Sequence, residues 1–203
     1  MSTRPALGIA LWGTEPVPKL IEQVQLAEAI GFESVWIIDS QLICREIYVT
    51  LAACLAATKR IKLAPGVTQP RTRHVSVTAS ALATLAEMAP GRVLAGVGTG
   101  FSSLRTIGLP AAKVAEVERY VTDLRRLLRD EPVAFEHGVE GRITWLDQTA
   151  AVPVSIACSG PRISALAGRI ADGAILLQGI APDPLARGFD WFDEPDEVDV
   201  SPL

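Results

Sequence analysis

Largely apolar segments of strand length alternate with segments of helical periodicity along most of this chain, and this alternation limits the fold more than any other feature. The apolar segments comprise residues 7–11, 35–38, 61–67, 92–97, 152–157 and 174–177. They lack the strict alternation of polar and apolar residues that a half-exposed strand shows. We therefore predict strands of a parallel sheet that is buried on both faces.

Helical spacing of apolar residues predicts helices between these strands. The predicted helices cover residues 20–30, 48–58, 75–88, 114–128 and 162–171. The fourth helix carries one apolar stripe, and arginines at positions 119, 125, 126 and 129 lie mostly off that stripe. We interpret these arginines as a solvated helix face.

Two architectures fit this order of elements: an open doubly wound sheet and a (β/α)8 barrel. The run Gly96–Gly100 resembles a dinucleotide-binding fingerprint, but residues 101–110 separate it from the next regular helix. Polar or glycine-rich residues instead follow four of the strands, which is where a barrel carries its active site. These residues are Asp39 and Ser40, then Gly66, Val67 and Thr68, then Gly98, Thr99 and Gly100, then Ser159, Gly160, Pro161 and Arg162. We therefore predict an α/β fold of the TIM-barrel type.

The composition excludes several classes of function. Hydrophobic residues make up 49% of the 203 positions and charged residues 21%, which is typical of a chain with a buried core. The net charge of −4 and the lack of a basic patch argue against a nucleic-acid partner. No apolar stretch is long enough to cross a membrane and no secretory signal is present, so we expect a cytoplasmic protein. Three cysteines without a CxxC pair, and two histidines, argue against disulfides and metal sites.

The chain is shorter than a complete barrel, which typically has about 250 residues. We expect residues 1–180 to form an incomplete barrel domain of about six βα units. Residues 181–203 are acidic, contain prolines and predict an atypical tail. The first and last strands of such a sheet would have open edges, so we expect a homodimer.

Several segments resemble the luciferase-like oxidoreductases that use flavin or deazaflavin cofactors. The resemblance is closest to the methylenetetrahydromethanopterin reductase-like branch, which uses coenzyme F420. It is dense over residues 30–109 and continues less densely to about residue 179. The segments that carry it are Gly31–Trp36, Tyr48–Ala52, Ile61–Thr68, Pro70–His74, Thr78–Arg92, Gly98–Gly100, Ser159–Arg162 and Ala171–Ala174.

The resemblance implies an enzyme that transfers a hydride between coenzyme F420 and a small organic substrate, with FMN as the alternative cofactor. It implies that the cofactor binds at the carboxyl ends of the strands, and that the bond between Gly66 and Val67 is a cis peptide. It assigns a catalytic role to Asp39. The residues to which it assigns cofactor contacts are Ser40, Gly66, Val67, Thr68, Gly98, Thr99, Gly100, Ser159, Gly160, Pro161 and Arg162.

Elementary chemistry supports two of these assignments, beside a structural alternative for each. Gly160 would let a ligand approach the backbone, and Pro161 suits the first position of a helix whose amino end, with Arg162, would attract a phosphate. The alternative is a plain strand-to-helix turn. A desolvated Asp39 would be a hydrogen-bonding anchor or a proton donor with a raised pKa. The alternative is a turn or helix cap.

The chain departs from the family pattern at two positions in the expected site. Ser40 stands where a histidine usually follows the aspartate, and Phe101 stands where related enzymes often carry an acidic residue. His74 would contact the cofactor ring or cap the following helix. For Arg45 and Glu46 we expect either contact with the substrate or a place among the surface charges.

Other functions remain open beside the F420-dependent enzyme. One is an FMN-dependent luciferase-like monooxygenase. Another is a flavin-binding protein without turnover, which Ser40 and Phe101 favour slightly. The last is an inactive remnant that binds no cofactor because its barrel is unfinished.

Overall fold

Six parallel strands and the helices between them form the framework of this protein in the residues that the structure describes. The structure is a computed structural model, and it describes residues 6–146 and 149–176, with three further positions at 183, 186 and 188. The parallel strands are β1 (Gly8–Leu11), β2 (Ser34–Ile37), β3 (Lys62–Pro65), β4 (Ala95–Val97), β7 (Val154–Cys158) and β8 (Gly173–Leu176). The helices are α1 (Val17–Ala29), α2 (Ile47–Ala56), α3 (Val75–Met88), α4 (Phe101–Thr106), α5 (Val114–Leu128) and α6 (Pro161–Ile170).

The strands lie side by side in the order in which they occur along the chain. Strands β1, β2 and β3 pair in parallel, and so do β4, β7 and β8. Two isolated parallel bridges, Leu63 to Val93 and Thr68 to Val97, join these two sheets. A doubly wound sheet would reverse its strand order partway along, and this sheet does not. The structure therefore confirms the TIM-barrel-like prediction, as a partial barrel.

The core lies between the sheet and the apolar faces of the helices. Val35, Ile37 and Leu63 in the strands are fully or almost fully buried. Helix α1 buries Leu20, Val24 and Ala27, which recur at the spacing of one helical face. In α5 the predicted stripe is buried at Val117, Val121, Leu124 and Leu128, together with Tyr120. The burial pattern confirms the predicted periodicity of these helices.

Two local elements differ from the sequence-based prediction. Residues 101–110 were expected to lack a helix, but α4 begins at Phe101, directly after Gly100 in a left-handed conformation with φ of 78°. The irregular stretch contains a small antiparallel hairpin of β5 (Val133–Ala134) and β6 (Glu140–Gly141). Both elements are very short, so their apolar residues show no periodicity.

The described residues bear only partly on the other predictions. Cys54 and Cys158 are buried free thiols, and Cys44 is a half-buried free thiol. Among the described residues, no helix has the length and apolar character that a membrane span requires. Residue 177 of the last predicted strand, and nearly all of the predicted tail 181–203, lie outside the described residues.

Candidate functional site

The carboxyl ends of β2, β3 and β4 are joined by direct hydrogen bonds. The Gly66 amide donates to the Ile37 carbonyl at 2.7 Å, and the Gly98 amide donates to the Thr68 carbonyl at 2.9 Å. The hydroxyls of Ser40 and Ser102 share a hydrogen bond of 2.9 Å, which ties the end of β2 to α4. The predicted residues after these strands therefore lie together at one edge of the sheet. Ser159–Arg162 follow β7, which pairs with β4 at the same edge.

Asp39 is a buried carboxylate at the centre of a polar cluster. Its side chain is almost fully buried, and its Oδ1 accepts a hydrogen bond of 2.8 Å from Gln41 Nε2. Its Oδ2 accepts one of 3.1 Å from Arg73 Nη1. Burial raises the pKa of Asp39 to about 6, and the Arg73 guanidinium opposes that increase while Glu46 adds to it. Asp39 is therefore ionised in most molecules at neutral pH, with both oxygens held by donors.

Two hydroxyls beside Asp39 are buried without a hydrogen-bond partner among the described residues. They are Thr68 Oγ1, in a residue with no exposed surface, and Tyr48 Oη. Burial raises the pKa of Tyr48 to about 12, so its hydroxyl stays protonated. The Thr68 hydroxyl lies beside Asp39 and Tyr48, and its polar interaction with them lowers the pKa of both groups. Because buried hydroxyls are normally paired, these atoms fit the polar edge of a bound group.

The bond between Gly66 and Val67 is a cis peptide, as the resemblance implied. The neighbouring strand packs closely against this segment. A Cβ atom added at Gly98 would lie 2.7 Å from Val67 Cγ2, and one added at Gly96 would lie 2.5 Å from the Pro65 carbonyl oxygen. Packing against the end of β3 therefore explains Gly96, within β4, and Gly98, directly after it. Contact between these glycines and a cofactor stays a prediction.

Internal contacts also involve Thr99 and Gly100. The Thr99 carbonyl accepts a hydrogen bond of 2.8 Å from the Ala112 amide. Gly100 has a positive φ, and an added Cβ would lie 2.7 Å from Gln69 Cγ. The Gln69 side chain is fully buried, and its Oε1 accepts a hydrogen bond of 2.6 Å from the Arg71 amide. These residues shape the loops after β3 and β4.

The amino end of α6 has the features of a phosphate site. Gly160 is the N-cap residue of this ten-residue helix, Pro161 occupies its first turn, and no side chain caps it. The Ser164 hydroxyl donates back to the Gly160 carbonyl at 3.0 Å and so caps no amide. Pro161 has no N–H, and the amides of Arg162 and Ile163 have no partner among the described residues. A Cβ atom added at Gly160 would have no neighbour within 4 Å. Exposed Arg162 follows, so both the helix dipole and a cation favour an anion here.

Three weaker candidates from the sequence, His74, Arg45 and Glu46, make structural contacts. His74 is the N-cap of α3, since its Nδ1 accepts from the Ser76 amide, and its ring lies 5.1 Å from that of Phe135. The capping alternative is therefore the one that the structure shows. Arg45 Nη1 donates to the Thr14 carbonyl. Glu46 is the N-cap of α2 and accepts a hydrogen bond of 2.8 Å from the Val49 amide.

Sequence reasoning missed Arg73 and Gln41, which hold the Asp39 carboxyl. Arg73 lies within the segment Pro70–His74 that carried the resemblance, so a signal existed. No spacing rule, however, shows that a side chain after β3 reaches back to a carboxylate after β2. Phe101, at the position where the resemblance leads us to expect an acidic residue, is the first residue of α4 and is largely exposed.

Comparison with known proteins identifies the family of this chain. Residues 3–194 match the family described as luciferase-like monooxygenase. The chain belongs to this family. It is 31% identical over 205 residues to 5,10-methylenetetrahydromethanopterin reductase of Methanolobus tindarius, with 96% of this chain and 63% of the relative covered. It is 38% identical over 181 residues to F420-dependent glucose-6-phosphate dehydrogenase of Nakamurella multipartita, with 81% of this chain and 53% of the relative covered.

Solved structures show the same fold. The coenzyme F420-dependent tetrahydromethanopterin reductase from Methanopyrus kandleri superimposes with a TM-score of 0.75 and 26% identity. The match covers 84% of this chain and 55% of that one. This luciferase-like chain thus spans between about half and two thirds of the length of these relatives.

Proposed function

We propose that this luciferase-like chain binds coenzyme F420 at the carboxyl ends of its strands and takes part in hydride transfer between F420 and a small organic substrate. The observation that carries the proposal is the unpaired, fully buried Thr68 hydroxyl beside the Asp39 carboxylate. Such atoms need a polar partner, and the edge of a deazaflavin ring offers several. The Nakamurella multipartita relative and the Methanopyrus kandleri structure, which are both named as F420-dependent, support the choice of cofactor.

The amino end of α6 is the second half of the proposed site. The unfilled space over Gly160, the free first amides and the exposed Arg162 suit a phosphate of the cofactor. Strand β7, which leads to this helix, pairs with β4, whose end meets the end of β3. We therefore propose that the cofactor lies across the strand ends, with its ring toward Asp39 and Thr68 and its phosphate toward Gly160.

The residues of the chain would bind and orient the cofactor while excluding water. Bound F420 would supply the centre that gives or accepts the hydride. Because both Asp39 oxygens already accept hydrogen bonds and its carboxyl is mostly ionised at neutral pH, we propose that Asp39 is an acceptor that anchors a ligand. A carboxylate has lone pairs left for a further donor. The proton-donor alternative would require a protonated Asp39.

The direct test is a titration of the purified chain with F420 and, separately, with FMN, followed by absorbance and fluorescence. Saturable binding of F420, with FMN weaker, is the expected result. Tighter binding of FMN would replace the cofactor in this proposal. Failure of both to bind would contradict the proposal and favour a chain that no longer binds a cofactor.

A further inference from the structure

We propose that Arg73 is a positioning residue that, shared with Glu46, keeps the buried Asp39 carboxyl charged and fixed in place at the strand ends. The effect on cofactor binding rests on the function proposed above. The effect on Asp39 itself is a property of the chain alone. The two are therefore open to separate tests.

The guanidinium of Arg73 bridges two carboxylates near the two ends of the segment that connects β2 to α2. Its Nη1 donates to Asp39 Oδ2 at 3.1 Å, and its Nη2 donates to Glu46 Oε1. Its guanidinium carbon lies 4.9 Å from the centre of the Tyr48 ring, a cation–π contact. Only 16% of the Arg73 side chain is exposed, against 47% for Glu46. The arginine is therefore fixed between the end of β2 and the start of α2.

A second arginine in the same loop shows a different arrangement. Arg71 directs its Nε and Nη2 at the two oxygens of one carboxylate, Glu116, at 2.9 and 2.8 Å. Arg73 instead divides its donors between Asp39 and Glu46. A divided guanidinium neutralises each carboxylate only in part, so the balance at Asp39 depends on both partners.

The groups that face Asp39 come from several elements. Arg73 reaches it from the loop after β3 and opposes the burial that raises its pKa, whereas Glu46 at the start of α2 adds to the increase. Thr68, after β3, lowers the pKa, and Gln41 in the loop of Asp39 itself donates to Oδ1. The phenols of Tyr48 in α2 and Tyr120 in α5 are close enough to interact with the Asp39 charge. Arg73 is the cation of this set.

Replacing either Arg73 or Glu46 should shift the pKa of Asp39 in a defined direction. Without Arg73, two carboxylates face each other with no cation between them, and the buried one takes up a proton more readily. Without the Glu46 charge, Asp39 has an undivided guanidinium and holds a proton less readily. The Arg73 and Glu46 variants should therefore shift the pKa of Asp39 in opposite directions. A purely structural role of Arg73 would not produce opposite shifts.

The test follows the carboxyl titration of Asp39 by carbon-13 NMR in the cofactor-free chain, with the resonance assigned by its loss in Asp39→Asn. We expect Arg73→Gln to raise the titration midpoint by about one pH unit or more. Glu46→Gln should lower the midpoint, and its amide oxygen can still cap α2. Arg71→Gln is the matched control, with an unchanged midpoint. The proposal would be overturned if the Asp39 midpoint moved in the same direction in Arg73→Gln and Glu46→Gln, or if it moved in neither variant.

The same variants give a cofactor-linked readout. F420 binding should weaken below a certain pH, where Asp39 becomes protonated. We expect this pH to be higher in Arg73→Gln than in the wild type. In Arg73→Lys, which keeps the cation, it should stay near the wild-type value. A loss of affinity by one constant factor at every pH would show that Arg73 contacts the cofactor directly, and would overturn the positioning role. If Arg73→Gln does not fold, the midpoint of Glu46→Gln decides, because the proposal requires it to fall. If the NMR midpoints shift as expected but the chain binds no F420, the proposed function is rejected and the role of Arg73 still holds.

Discussion

At the scale of single residues, the buried carboxyl of Asp39 makes stability depend on pH. Burial raises its pKa from 3.8 to about 6 against the opposing charge of Arg73, so between about pH 4 and pH 6 the folded chain holds a proton that the unfolded chain releases. Asp39 therefore contributes stability that is fully present below about pH 4 and is lost as the pH rises through about 6.

Replacing Asp39 by Asn should remove this dependence. We expect the free energy of unfolding of the wild type, minus that of Asp39→Asn, to fall by up to about 3 kcal/mol between about pH 3.5 and pH 7, at about 1.4 kcal/mol per pKa unit. Urea unfolding at a series of pH values measures the difference. Asp172→Asn is a contrasting control of opposite sign: burial favours a higher pKa there, but the hydrogen bonds from Arg125 and the Val154 amide lower it overall. A difference for Asp39→Asn that does not change with pH would contradict the expectation.

Thr68→Val tests the unpaired hydroxyl at the same scale. Valine keeps the shape of the side chain and removes an atom that has no partner in the described part of the chain. At about pH 4, where Asp39 is largely protonated, we expect thermal stability equal to or above that of the wild type, because a buried unpaired hydroxyl is unfavourable. The affinity for F420 should fall by about tenfold, the size of one hydrogen bond. Thr84→Val, on the exposed face of α3, is the control for a threonine far from the site. Calorimetry compares the thermal stability of the two variants, and a titration compares their affinity for F420.

At the scale of elements, α6 allows binding to be separated from folding. Gly160 has an extended φ of −173°, which any residue adopts, and an added Cβ meets no atom within 4 Å. We therefore expect Gly160→Leu to keep the melting temperature of the wild type while F420 binding is lost, because the side chain fills the space over the free amides. Unchanged F420 affinity would remove the amino end of α6 from the proposed site. A lower melting temperature would show that the turn itself needs glycine.

The elements also show which features the sequence makes predictable. The six parallel strands and the larger helices follow from apolar periodicity, and the turn Ser159–Arg162 follows from the local preferences of glycine and proline. Helix α4 and the β5–β6 hairpin are too short for such a signal. The Arg73 bridge is a contact between loops that are distant in sequence. His74 caps a helix, whereas contact with the cofactor ring was the alternative. Local patterns therefore predict the framework and the edge where the site lies, but not which side chains fix Asp39.

At the scale of the whole molecule, the outer strand β1 leads to a prediction about assembly. Its outer edge pairs with no strand in residues 6–146 and 149–176, and Leu7 and Trp12 on either side of it are exposed by 61% and 59%. Open strand edges with apolar flanks favour pairing with another chain. We expect the 203-residue chain to form a homodimer, measured by light scattering coupled to size-exclusion chromatography. Leu7→Lys should shift the equilibrium toward monomer because a charge on an edge opposes pairing, whereas Val139→Lys, at an exposed loop position, should not. A monomeric wild-type chain would contradict the prediction, and a dimer insensitive to Leu7→Lys would place the interface away from β1.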